Sequence, residues 1–160
     1  MSSRKICITA ADGQTGQLTA ELLLTNKQFS SKFKSLSLLA VNPDKCIELS
    51  RIGRGRVNVF PLTFEKQKLL ETLKTEMCDT IFLIPPADKE KLAIVKTIID
   101  CAAHLKTVQN VVLLSSAGCD VAERDHQPSI RQFIDMEALV MNAKAEPGMG
   151  STGHSPCIIR

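Results

Sequence analysis

The chain has no tryptophan and no tyrosine, and its only aromatic side chains are six phenylalanines among 160 residues. Surfaces on which bases could stack are therefore scarce, and nucleic acid is not expected as a partner. Charge of one sign is also lacking. The net charge is +3, and the densest basic group is Arg51, Arg54 and Arg56, which reads as a solvated face or as phosphate contacts. Long apolar runs are absent too. The run Ile6 to Ala11 is broken by Asp12, too short for the apolar region of a secretory signal. No stretch nears the roughly 18 apolar residues that span a bilayer. The expectation is a cytoplasmic protein without a membrane partner.

The six cysteines are widely spaced, with no C-x-x-C pair and no histidine at ligand spacing, so no metal site is expected. They read as buried free thiols. Cys119, which follows Ser115-Ser116-Ala117-Gly118, is the one candidate for a reactive thiol, and no base stands near it in sequence.

What is present is a regular alternation. Short strands are predicted at Lys5–Thr9, Leu36–Val41, Val57–Leu62, Thr80–Ile84, Asn110–Leu114 and Pro156–Arg160, several of them apolar throughout, as strands buried on both faces are. Helical spacing lies between them. Leu18, Leu22 and Leu23 mark the first helix. A short second helix covers Lys45–Arg51 and ends at Gly53. Leu69, Leu70, Leu73 and Met77 mark the third, and Leu92, Val95, Ile99 and Ala102 the fourth. Ile130, Phe133, Ile134, Ala138 and Met141 mark the fifth. Lys144–Ser155, rich in Gly, Ser and Pro, reads as a mobile loop. The length suits a single domain, residues 1–160. The alternation predicts an α/β fold: a doubly wound, parallel six-stranded sheet in the order 3-2-1-4-5-6.

The turn after the first strand carries the pattern A-x-x-G-x-x-G, at Ala10, Gly13 and Gly16. In a dinucleotide-binding fold three small residues here give a tight turn, close approach to a pyrophosphate and close helix–strand packing. The phosphates then meet free N–H groups at the helix N-terminus. Asp12 adds a negative charge beside them. If the first position needs a positive φ, its alanine costs on the order of 1 kcal/mol. Two readings stand: a phosphate cradle, or a turn kept only for packing.

Together the segments TAADGQTG, AVNPDK, IFLIPP (Ile81–Pro86), VVLLSSAG (Val111–Gly118) and HSPCIIR (His154–Arg160) resemble the NmrA-like proteins of the atypical short-chain dehydrogenase/reductase group. The resemblance covers the whole chain but only the N-terminal half of a usual member. It implies a Rossmann domain ending at its sixth strand, truncated before the C-terminal lobe that shapes a substrate pocket. It implies an NADP or NAD cofactor. Ala10, Asp12, Gly13, Gln14, Thr15 and Gly16 would form the phosphate loop, and Asn42 and Lys45 would meet the ribose or a phosphate. Pro85 and Pro86 would lie beside the adenosine and nicotinamide ribose, with Ser115 and Ser116 near the nicotinamide. The partners implied are a small-molecule substrate or, for a non-catalytic nicotinamide sensor, a regulatory protein.

Three positions depart from that family. Val41 stands where an Arg often grips the 2′-phosphate of NADP. Pro61 stands where an Asp commonly contacts adenine. The missing tyrosine excludes the Tyr-x-x-x-Lys acid of conventional members. Ser115 or Ser116 could orient a carbonyl but would not deliver a proton well near neutral pH without help, and they also read as residues closing a loop.

Among other chemistry-bearing residues, His104, His126 and His154 read as capping or surface groups, His126 being the best placed of them as an acid or base. Asp120, Glu123 and Asp125 suit a helix start. Asp135 and Glu137 read as solvated. A sixth strand uncovered at the sheet edge predicts marginal stability or a homodimer.

Overall fold

A computed structural model describes residues 4–143 and 154–160. The part of the predicted loop at 144–153 lies outside the described residues. Six strands form one parallel sheet: β1 (Arg4–Ile8), β2 (Phe33–Ala40), β3 (Val57–Pro61), β4 (Thr80–Leu83), β5 (Asn110–Leu114) and β6 (Ser155–Ile159). Their order is β3-β2-β1-β4-β5-β6, the doubly wound arrangement the alternation predicts. The helices are α1 (Gln14–Thr25), α2 (Lys27–Ser30), α3 (Ile47–Gly53), α4 (Lys66–Glu76), α5 (Lys91–His104) and α6 (Pro128–Asn142), with a 3-10 turn at Pro43–Cys46. The four-residue α2 had no apolar spacing to betray it.

Each face of the sheet has its own core. Cys7 and Leu39 point to the side where α4, α5 and α6 pack, with Ile81, Leu83, Ile98 and Met136. Ile8, Leu36, Leu38 and Ala40 point to the side of α1 and α3, with Ala20 and Leu49. Period-2 alternation thus sends apolar residues both ways, with Ser37 of β2 and Asn58 of β3 among the exceptions, both donating to Glu76.

β2 begins earlier than its apolar residues suggest. Lys34 and Ser35 hide the start, but Phe33 is buried and the Arg56 guanidinium lies 4.8 Å from its ring centroid.

Two helix faces differ from expectation. Leu18 and Leu22 are 59% and 52% exposed, and α1 instead buries Gly16, Ala20 and Leu24. The cause is Gly16: a Cβ there would stand 2.4 Å from the Ala10 carbonyl oxygen, so the helix backbone is drawn onto the turn and its small-residue side faces the sheet. On α6 the buried residues are Met136, Glu137 and Val140, whereas Ile130 and Met141 are exposed and Ala138 faces outward. Met77 is not on the face of α4 but caps its end in the left-handed conformation, half exposed. No helix among the described residues is long and apolar enough to cross a membrane.

Candidate functional site

The C-terminal ends of the parallel strands all open on one edge, and β1 and β4 separate there because their connections leave in opposite directions. The glycine turn sits at this divide. Ala10 has φ +46, so the first position does need the left-handed region and its alanine is strained. The turn closes on a bond from the Gly13 N–H to the Ala10 carbonyl, 3.1 Å. Gly13 begins α1 without a side-chain cap, and no acidic residue occupies the first turn. The intrahelical bonds start with Gln17 N–H on the Gly13 carbonyl, 2.9 Å, leaving Gln14, Thr15 and Gly16 as the orphan donors of the helix start. Gly13, Gln14 and Thr15 are exposed.

The turn is held from both sides. Thr9, fully buried, donates its hydroxyl to the Ile84 carbonyl and accepts from the Ile84 N–H, both at 2.8 Å. That pair fixes the start of the loop carrying Pro85 and Pro86 against the end of β1. Sequence reasoning missed Thr9, whose partner lies 75 residues away. On the other side, the Asp12 carboxylate accepts from the backbone N–H groups of Val41 and Asn42, each at 3.0 Å. Asn42 in turn caps the 3-10 turn through its side chain, accepting from Asp44 N–H. The Lys45 carbonyl accepts from the Gln17 side chain at 3.1 Å. Ala10, Asp12–Gly16, Asn42 and Lys45 are thus brought together through bonded neighbours. Burial first, and Asp12 second, push the Cys46 thiol up.

Ser115 and Ser116 follow β5, and Ser115 is held by Glu137. Glu137, expected in solvent, is buried. It accepts from Ser115 Oγ at 2.5 Å, from Arg160 Nε at 2.9 Å and Nη2 at 2.7 Å, and from Cys119 Sγ at 3.5 Å. The Arg160 guanidinium holds the Glu137 carboxyl below the usual range against the opposing effect of burial. Arg160 also pairs with Asp120 at 3.4 Å. Cys119 is fully buried and its thiol hydrogen faces a carboxylate, so the reactive-thiol candidate is corrected to a structural one. Ser116 Oγ donates to the neighbouring Ala117 carbonyl.

The histidines divide. His104 sits 2.5 Å from the Asp100 carbonyl at a helix end, and His126 pairs with Glu123 at 2.8 Å in solvent. His154 is not at the surface: it is 1% exposed, with Nε2 against the Val140 carbonyl at 3.0 Å and Nδ1 without a partner among the described residues. Asp135 pairs with Arg124 at 3.4 Å. No group of residues able to hold a metal ion occurs among the described residues. A groove of about 640 Å³ runs along α4 at the β3 edge, lined by Phe60, Leu62, Phe64, Thr72 and Glu76, and shares no residue with the glycine turn.

No protein-family model and no curated protein sequence matches the chain. Its fold matches solved oxidoreductases. An NADPH-dependent quinone oxidoreductase of Escherichia coli, solved with NADPH, superposes with a TM-score of 0.73 at 18% identity over 97% of this chain and 48% of its own. The anaerobillin reductase ChuY of Escherichia coli gives 0.69 at 16% identity, covering 98% of this chain and 71% of its own. The triphenylmethane reductase of Citrobacter sp., solved with NADP(H), gives 0.65 at 15% identity over 86% and 45%. The six-stranded parallel fold is shared with these structures, and the chain spans about half the length of the quinone oxidoreductase it matches, 48%.

Proposed function

We propose that this domain binds a nicotinamide dinucleotide, with the pyrophosphate on the orphan N–H groups of Gln14, Thr15 and Gly16. The observation that carries the reading is the uncapped start of α1 at the divide between β1 and β4, where Gly13 and Gly16 let backbone come close. The cofactor, when bound, would supply hydride chemistry. The chain's own residues would hold it: the turn at the phosphates, Asn42 and Lys45 near the ribose, and Pro85 and Pro86 along the far wall. We place the chain with the NmrA-like proteins of the atypical short-chain group, as a domain related to reductases of small molecules.

A second reading, a nicotinamide sensor without catalysis that acts through a protein partner, is favoured by two observations. Ser115 is engaged by Glu137 and no tyrosine exists to deliver a proton. Calorimetric titration with NADH and NADPH tests binding directly, since the lack of tryptophan removes the usual fluorescence signal. Micromolar affinity is expected. Absence of heat from folded protein would reduce the motif to a packing turn.

A further inference from the structure

We infer that Asp12 makes this site select NAD(H) over NADP(H), an inference that rests on the dinucleotide reading above. The discriminating acid comes from the glycine turn itself, not from the end of β2. Its two oxygens accept from the Val41 and Asn42 N–H groups at 3.0 Å each, so both backbone donors at the β2 end are already used. In a dinucleotide fold this strand end faces the adenosine ribose. A carboxylate has lone pairs left after two bonds, and a ribose 2′-hydroxyl can donate to one of them. A 2′-phosphate can donate nothing useful there and brings a like charge of about −1.5 to −2.

The arginines that could offset this charge are elsewhere or already engaged. Arg51 is paired with Glu48 on α3. Arg54 and Arg56 precede β3, on the opposite edge of the sheet from the strand ends. Arg56 is further committed to the Ser30 carbonyl at 2.7 Å and to the Phe33 ring. Val41 offers an exposed apolar side chain. Lys45 is the one basic side chain in the turn that follows β2, and Asp44 stands beside it in the chain.

The test is calorimetric titration of the wild type and of Asp12→Asn with NAD and NADP, fold being checked by circular dichroism. NAD is expected to bind the wild type at least about tenfold more tightly, the discrimination one unit charge a few ångström from the phosphate gives at a surface site. Asp12→Asn is expected to narrow the ratio to about twofold, by strengthening NADP binding and by weakening NAD binding, whose 2′-hydroxyl loses a charged acceptor. Asp12→Thr, which also accepts from one N–H, serves where the asparagine variant is misfolded. Equal affinities, or an NADP preference, in the wild type would overturn the inference while leaving dinucleotide binding intact. So would a preference that persists unchanged in the variants. No binding of either dinucleotide to folded wild type would overturn the dinucleotide reading itself, and this inference with it.

Discussion

Two regions share the same edge of the sheet and are built on opposite principles. At the glycine turn, backbone donors are left without intramolecular partners, and side chains are kept small or exposed. At the end of β5 and β6 the side chains pair with one another: Ser115, Cys119 and Arg160 converge on Glu137, and Asp120 pairs with Arg160. The first region is exposed with unpaired donors, and the second is closed on itself. The difference shows why the two ends of one sheet edge call for different tests: the first offers unpaired backbone donors, and in the second Ser115 and Arg160 are already engaged by Glu137.

The contrast can be broken most severely at Gly16. Gly16→Ala would push a Cβ to 2.4 Å from the Ala10 oxygen and 2.7 Å from Ala11 Cα, both backbone atoms that cannot swing away. A loss of about 2–3 kcal/mol is expected, with the turn and α1 forced apart, read as a fall in the denaturant midpoint. Next comes the closed region. Glu137→Ala leaves Ser115 and Cys119 without their acceptor and is expected to cost about 2 kcal/mol in the same measurement, without weakening dinucleotide binding. A smaller effect of opposite sign is expected at Ala10. Ala10→Gly relieves a left-handed alanine and is expected to raise stability by about 0.5–1 kcal/mol, leaving binding unchanged or tighter. No stabilisation would mean that the φ of +46 is not a source of strain.

The smallest effect is in the pH dependence. Burial holds His154 below its ordinary value of 6.5, only partly offset by the Val140 carbonyl. The unfolded chain therefore takes up a proton first, so stability is full above about pH 6.5 and declines as pH falls below it. Glu137, held low chiefly by Arg160, adds a second decline that begins only below the ordinary glutamate range, about pH 4.3. Unfolding titrations at pH 7.5 and 5.5 should show the first decline, and His154→Gln should flatten it.

The sheet was legible because most of its strands are apolar and its turns carry glycine, proline and asparagine; their order was read from the dinucleotide-binding arrangement that six alternating strands match. The turn at Ala10–Gly16 was legible as a motif. What the sequence hid were pairings across distance. Glu137 looks like any solvent-facing acid until Arg160, 23 residues on, is seen against it. Asp12 shows only its charge, and not the two amides 29 and 30 residues away that it binds. The face of α1 was misread because leucine count suggested packing, whereas the clearance around Gly16 decided which side met the sheet.

The central claim is that the open region, not the closed one, receives a dinucleotide. Backbone amide shifts of isotopically labelled protein, followed while NAD is added, test it residue by residue. The expected result is saturable movement centred on Gly13 to Gly16 and Asn42, with Glu137 and Cys119 still. Movement confined to the Ser115–Glu137 region, or none anywhere at millimolar NAD, would contradict it.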